Sequence, residues 1–345
     1  MLTQETVWEA LKAVKYPGYT RDIVSFGLVT KVSVADGTVT VSMQLASSNP
    51  GAAQQIQTEV ERILKSLPGA DRVEVEVRQP ASAKPAPPNP WAHQARVPGI
   101  KKIIAIASGK GGVGKSTCAA NLACALAHLN ARVGLLDCDI YGPSIPLMMG
   151  VHEKPTISAR ERLVPPVAHG VKVMSFGLLL TDDQPVIWRG PMITKTIQQF
   201  LFAVEWGDLD FLLVDLPPGT GDAQLSLCQA APLDGGVIVT TPQEASVGVA
   251  RKGLAMFHKV NVPILGIVEN MSGFTAPGGE RLDIFGHGGG RREAARQNVP
   301  FLGEVPIFME IREAGDGGTP VVVSAPNHPA GRAFHRIAET LRQKI

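Results

Sequence analysis

Two patterns of apolar and polar positions divide the chain. Over the first 78 residues, apolar side chains recur at helical or alternating spacing: residues 3–14 and 52–67 read as helices, and residues 23–34, 38–45 and 72–77 as strands. Asp36-Gly37 marks a hairpin turn, and Pro68-Gly69 ends the second helix. This is a small α+β unit. From residue 99 the pattern changes to short runs that are apolar at nearly every position, alternating with stretches of helical spacing. The runs are residues 103–107, residues 132–139 (RVGLLDCD), VKVMSF, DFLLVD, GGVIVTT, PILGIVEN and FLGEVPI. The helical stretches are the alanine-rich CAANLACALAHL and residues 191–204, 246–260, 291–297 and 329–344. A strand without polar alternation must be covered on both faces, so this region is expected to be a doubly wound α/β domain on a mainly parallel sheet. Between the two patterns, residues 79–98 hold six prolines and little periodicity, the composition of an extended linker. The expected parts are 1–78, 79–98 and 99–345, with no internal repeat.

Composition narrows the partners. The 33 basic and 31 acidic residues leave a formal charge of +2, which gives no general attraction to nucleic acid or to an anionic membrane. The opening MLTQETVWEALKAV has acids at helical spacing rather than a basic segment, an apolar core and a cleavage site. No apolar run reaches the roughly 18 residues of a membrane span, so the expected compartment is the cytoplasm. Cys118, Cys124, Cys138 and Cys228 contain no C-x-x-C pair, which predicts neither a disulfide framework nor a self-contained zinc site. Cys118 and Cys124 are expected as packed thiols on a helix.

The chemistry concentrates in SGKGGVGKST, residues 108–117. Gly109, Gly114, Lys115 and Ser116 satisfy G-x-x-x-x-G-K-[ST] between an apolar run and a helical stretch, the context that a phosphate loop needs. Glycines let the N–H groups of Gly109, Lys110, Gly111, Gly112, Val113 and Gly114 converge on phosphate oxygens, and the positive end of the next helix adds its dipole from Lys115, Ser116 and Thr117. Lys115 is expected at the terminal phosphates of ATP and Ser116 on magnesium. Asp215, closing the run DFLLVD, suits the magnesium shell through water, and Gly219, Thr220, Gly221 and Asp222 of DLPPGTGD form a candidate switch loop for the γ-phosphate. Asp139 in DCDIYGPSIP is the candidate for orienting or deprotonating the attacking water, with Asp137 supporting its loop. Asn270 offers an amide that can read the adenine edge.

These motifs resemble known families. KGGVGKS resembles the deviant phosphate loop of the P-loop NTPase group containing the nitrogenase iron protein, MinD and ParA. That resemblance implies a homodimer with ATP at its interface, in which Lys110 reaches the partner's nucleotide as a catalytic group beside Lys115 and Asp139. GKGGVGKST, DCDIYGPSIP, WRGPM, DLPPGTGD, TPQEASV and VENMSGF together look like the Mrp/ApbC family of iron-sulfur cluster carrier ATPases, over nearly the whole chain. Scaffold proteins or client apoproteins are then the implied partners. Residues 1–78, with YPGYTRDIVSFGLVTKV and SLPGADRVEVEV, resemble the small domain of iron-sulfur assembly factors, although Tyr16 and Asn49-Pro50 stand where that family commonly has Asp and a Cys-Pro pair.

The carrier resemblance also exposes a gap. After NMSGF many members have a C-P-x-C pair, able to supply four thiolates to a cluster bridging a dimer. This chain reads TAPGGERLDIFG, with Ala276 and a glycine pair instead, so no cluster ligands are identified. His287, in FGHGGG, is expected in a loop. An alternative is a nucleotide-switched positioning ATPase similar to MinD or ParA, its footing being the tail GRAFHRIAETLRQKI, where Phe334, Ile337, Ala338 and Leu341 form an apolar stripe.

Overall fold

In a computed structural model, the structure describes residues 2–16, 21–35, 37–44, 50–78, 94–179, 190–219 and 222–345; of residues 50–53, 190–191 and 222–223 it describes the backbone alone. Asp36, Asn49, Trp188, Arg189, Thr220 and Gly221 lie outside the described residues, as does most of the proline-rich stretch 79–98. Contacts group the chain into two compact units, Met1–Asn89 and Pro90–Ile345.

The first unit runs α1 (Gln4–Leu11), β1 (Val29–Ala35), β2 (Thr38–Gln44), α2 (Pro50–Lys65) and β3 (Arg72–Arg78). Its three strands form one sheet in the order β1-β2-β3, antiparallel then parallel. Val39, Val41 and Met43 of β2 are buried at period two, and Ile56, Val60 and Leu64 of α2 at period four, so a sheet face meets a helix stripe. Thr3 begins α1 in a reciprocal cap with Thr6. The expected strand over residues 23–34 is shorter than its apolar pattern suggests. The Asp22 carboxylate accepts from the Ser25 N–H and hydroxyl, both at 2.7 Å, closing a turn that delays β1 to Val29 while keeping Ile23 buried.

The second unit opens with β4 (Ile100–Ser108), α3 (Lys115–His128), β5 (Val133–Asp137) and α4 (Ile145–Met148). Four strands follow: β6 (Thr156–Ile157), β7 (Leu163–Val164), β8 (Val167–Ala168) and β9 (Val171–Ser175). Next come α5 (Gly190–Phe202), β10 (Leu209–Asp215), α6 (Asp222–Ala230), β11 (Gly235–Thr240), α7 (Glu244–Lys259) and β12 (Ile264–Thr275). It ends with β13 (Arg281–Leu282), α8 (Gly289–Gln297), β14 (Phe301–Ile307), α9 (Met309–Asp316), α10 (Val321–Ser324) and α11 (Pro329–Arg342). Among the described residues nine strands form the main sheet, in the order β13-β12-β11-β4-β10-β5-β9-β8 with β14 on β12. All pairings within it are parallel except those of β13 and β8 at the margins.

The apolar runs have the predicted cause. Along β4, Ile103, Ala105 and Ala107 enter one core while Ile104 and Ile106 enter the other, so both faces of the strand are covered. The stripe Phe334, Ile337, Ala338 and Leu341 of α11 is at most 1% exposed and packs in the second core with residues of α3 and β14. That removes the footing for a membrane-facing tail. No helix is long and apolar enough to cross a membrane, among the described residues. Several elements had no sequence signal: α4, α6, α9, α10 and the two-residue strands β6, β7, β8 and β13; no residue of α9 is fully buried. In the cysteine-free stretch, β12 and β13 form a hairpin whose turn is closed by Ala276 and Glu280: the Ala276 N–H donates to the Glu280 carbonyl at 2.8 Å.

Candidate functional site

Strand β4 ends at Ser108, and α3 begins at Lys115 with no side-chain cap and no acidic residue in its first turn. Its first N–H groups are thus left for an anion. The intervening loop depends on its glycines. Gly114 has φ +77°, and a Cβ there would lie 2.2 Å from Asn270 Nδ2; a Cβ on Gly109 would lie 2.4 Å from the Val249 carbonyl carbon. The loop therefore packs against β12 and α7 at contacts that only glycine allows.

Parallel pairing brings two carboxylates to neighbouring strand ends. Asp137 of β5 and Asp215 of β10 are in register, and both are fully buried. Lys115, 6% exposed, donates from Nζ to Asp215 Oδ1 at 2.6 Å, and the Ser116 hydroxyl donates to Asp215 Oδ2 at 2.6 Å. Burial of an isolated ammonium would cost several kcal/mol, roughly, so this pairing is what lets Lys115 sit inside. Burial raises the Asp215 carboxyl above the usual carboxylate range, and the Lys115 ammonium opposes that shift. Asp137 is pushed up to about 7, first by burial and then by the charge of Asp215. It accepts from the Asp139 N–H at 2.9 Å, the Ile145 N–H at 3.4 Å and the Ser175 hydroxyl at 2.9 Å. Asp137 thus shapes the loop carrying Asp139, the supporting part expected of it; Ser175, on β9, had no signal in the sequence.

Lys110, Lys115, Ser116 and Asp139 line a cavity of about 210 Å³ together with the phosphate-loop glycines and Pro218. A second cavity, about 520 Å³, shares Gly112, Gly114, Thr117 and Met148 with it and is walled by Asn270, Met271, Phe285, Pro306 and Phe308. Asn270 also has a structural tie: its Nδ2 donates to the Val113 carbonyl at 2.9 Å. The Gly219 N–H donates to the Ser108 carbonyl at 3.0 Å, and Gln224 Nε2 donates to the carbonyls of Pro217 and Gly219, joining the DLPPGTGD segment to the phosphate loop. Asp222 begins α6, with its side chain outside the described residues. A hydroxyl and a buried carboxylate are hard oxygen donors, a set that fits magnesium. An uncapped helix end, two lysines and two joined cavities, one polar and one apolar, can hold a nucleoside polyphosphate.

The four cysteines are elsewhere. Cys118, Cys124, Cys138 and Cys228 are all buried, and burial pushes the Cys118, Cys124 and Cys228 thiols up to about 12 and the Cys138 thiol well above its ordinary value. Burial thus disfavours the thiolate form at all four. His287 lies in the loop before α8, as expected, but its ring faces Glu269 and Glu304, a grouping with no sequence signature.

Comparison with known proteins gives matches to both parts of the chain. A family model described as NUBPL iron-transfer P-loop NTPase matches residues 99–342, and one described as iron-sulfur cluster assembly protein matches residues 4–77. An iron-sulfur cluster carrier protein of Synechocystis sp. is 45% identical over 351 residues, spanning 100% of this chain and 98% of its own length. A mitochondrial iron-sulfur protein required for NADH dehydrogenase, from Arabidopsis thaliana, is 50% identical over 250 residues, 72% of this chain and 80% of that one. Among solved structures, a nucleotide-binding protein of Archaeoglobus fulgidus in complex with ADP superposes with a TM-score of 0.58 at 42% identity, covering 65% of this chain and 88% of that one. The cell division ATPase MinD of Pyrococcus furiosus, at 23% identity and a TM-score of 0.54 over 71% of this chain and 99% of that one, shares the fold. The chain belongs to the NUBPL iron-transfer P-loop NTPase family.

Proposed function

We propose that the protein is a slow, magnesium-dependent cytoplasmic ATPase that acts as a homodimer in passing iron-sulfur clusters to apoproteins, without a cysteine-held bridging cluster of its own. The observation that carries the nucleotide half is the buried trio Lys115, Ser116 and Asp215 under the uncapped end of α3. In this reading the N–H groups of residues 109–117 hold the phosphates, and Lys115 exchanges Asp215 for the terminal phosphates. Ser116 and Asp215 would hold magnesium, which would supply positive charge to the phosphates. Asp139 orients the attacking water from the cavity wall, and Lys110 serves the partner's nucleotide. Asn270 and the apolar cavity take the adenine. The tie from Gly219 to Ser108 carries the state of the phosphate loop to residues 219–222.

The transfer half is supported by what the relatives are named for, and the limit on it by four buried cysteines. The test joins an ATPase assay, with and without magnesium, to anaerobic reconstitution with iron and sulfide followed by desalting. Magnesium-dependent turnover with no retained stoichiometric cluster is expected. Absence of turnover would remove the ATPase reading. A stable cluster at one per dimer, lost when any of the four cysteines is replaced, would show that the chain holds its own cargo.

A further inference from the structure

A second group of facing acceptors lies at the other side of the sheet. Glu269 of β12 and Glu304 of β14 are in register on adjacent parallel strands, so their side chains leave the same face. With His287 they bring ligand atoms within 4.8 Å of one another. Ser272 stands among them, its hydroxyl 2.6 Å from Glu269 Oε1, 3.4 Å from Glu304 Oε2 and 3.4 Å from His287 Nδ1. It has one hydrogen for three acceptors, and the shortest distance commits that hydrogen to Glu269.

Like charges directly opposite on neighbouring strands destabilise a sheet unless something offsets them. Glu269 is fully buried and is held by the N–H groups of Gly288, at 2.9 Å, and Gly290. Among the described residues neither glutamate has an ion pair; the nearby cations Arg251 and Arg281 pair with Glu293 and Asp283 instead. Among the described residues the Glu304 carboxylate has only the long contact to Ser272, whose hydrogen is already given to Glu269. His287 Nδ1 accepts from Arg281 Nη2 at 2.8 Å, so that nitrogen carries no proton and keeps a lone pair for a cation. Arg281 is half exposed on the short edge strand β13, free to swing outward, and His287 is itself exposed, which leaves an entry path.

We propose that Glu269, Glu304 and His287 form a binding site for one divalent first-row transition metal ion. Two carboxylates with one imidazole suit manganese, ferrous iron, cobalt or zinc, whereas magnesium and calcium favour oxygen alone. Placement favours it: both glutamates are held in register on paired strands, and Ser272 with the Gly288 and Gly290 amides fixes the Glu269 carboxylate. Arg281 is the competitor that occupies His287 when no ion is bound. The site stands apart from the nucleotide reading, since its residues line neither cavity.

Cobalt(II) titration of the EDTA-treated full chain, without nucleotide, tests it through the visible absorption of the bound ion and through metal analysis after desalting. Wild type is expected to take one ion per chain at this site. Glu304→Gln, which keeps the side-chain shape, and His287→Ala should each weaken binding by about tenfold or more, while Arg281→Ala strengthens it. Unchanged cobalt affinity in Glu304→Gln and His287→Ala would overturn the assignment. So would loss of the ion in Asp215→Asn but not in Glu304→Gln, because the ion would then belong to the phosphate loop.

Discussion

Two pairs of acidic residues in register on adjacent parallel strands of this sheet present the same problem and resolve it differently. Asp137 and Asp215 are in register on β5 and β10, and Glu269 and Glu304 are in register on β12 and β14. The first pair has a cation built in, since Lys115 lies 2.6 Å from Asp215. The second has a hydroxyl and two backbone N–H groups, with the nearest guanidinium turned to His287. The difference teaches that an acidic pair with a built-in lysine is offset within the fold, while a pair without one is where the proposed ion would supply the charge. The proposed exchange of Lys115 between Asp215 and a polyphosphate belongs to the first pair alone.

The largest effect expected is from Lys115→Ala, which breaks the comparison by stripping the first pair of its cation. Removing one partner of a buried ion pair costs about 3–5 kcal/mol, and Asp215 would be left with the Ser116 hydroxyl alone. The variant should lose measurable Mg-ATP binding as well as stability. Titration with a fluorescent ATP analogue and denaturant unfolding read the two losses separately, and wild-type affinity in the variant would remove Lys115 from the nucleotide site.

Lys110→Ala tests the other lysine of the loop, which lines the same cavity but has no carboxylate partner among the described residues. Since nothing buried depends on it, the fold and ATP binding should be retained. Charge supplied in trans to a γ-phosphate is worth on the order of 10³ or more in rate, so turnover should fall by about that factor. Normal turnover, or a wild-type chain that stays monomeric with saturating ATP, would separate Lys110 from any partner's nucleotide.

Legibility in the sequence follows how local each feature is. The phosphate loop is ten consecutive residues, its flanks are visible as an apolar run and an alanine-rich helix, and Asp215 is marked by closing an apolar strand. The parallel sheet is legible for the same reason, because burial on both faces suppresses alternation along every core strand. Register is not local. Nothing in DCD or VENMSGF shows that Asp137 will face Asp215, or that Glu269 will face Glu304, since strand pairing decides both. Ser175 reaches Asp137 from a strand remote from any motif, and Gln224, two residues past DLPPGTGD, reaches back to Pro217 and Gly219 through a fold that spacing does not show. Asn270, the expected adenine contact, lines the larger cavity, and its tie to the Val113 carbonyl, inside the room that Gly114 leaves, has no sequence signal. Asp22 is the converse case, one side-chain hydrogen bond turning an apolar stretch away from a strand.

The smallest effect expected sharpens the comparison through pH. Asp137 is pushed up to about 7 in the folded chain by burial and by Asp215, from an ordinary value of 3.8. Between those values the native state binds more protons than the unfolded chain, so the slope of unfolding free energy against pH is negative for this group. Its contribution is greatest at the acid end and is lost as pH rises toward about 7. Asp215, also raised by burial, acts in the same direction, while Lys115 opposes both. Asp137→Asn keeps an acceptor at the Oδ1 position for the Asp139 amide and removes the titration. Denaturant unfolding between pH 5 and pH 8 should therefore show a flatter profile in the variant than in wild type. Equal slopes in the two proteins would mean that Asp137 is ionised throughout, and that the Lys115 cation is shared by both carboxylates rather than held by Asp215.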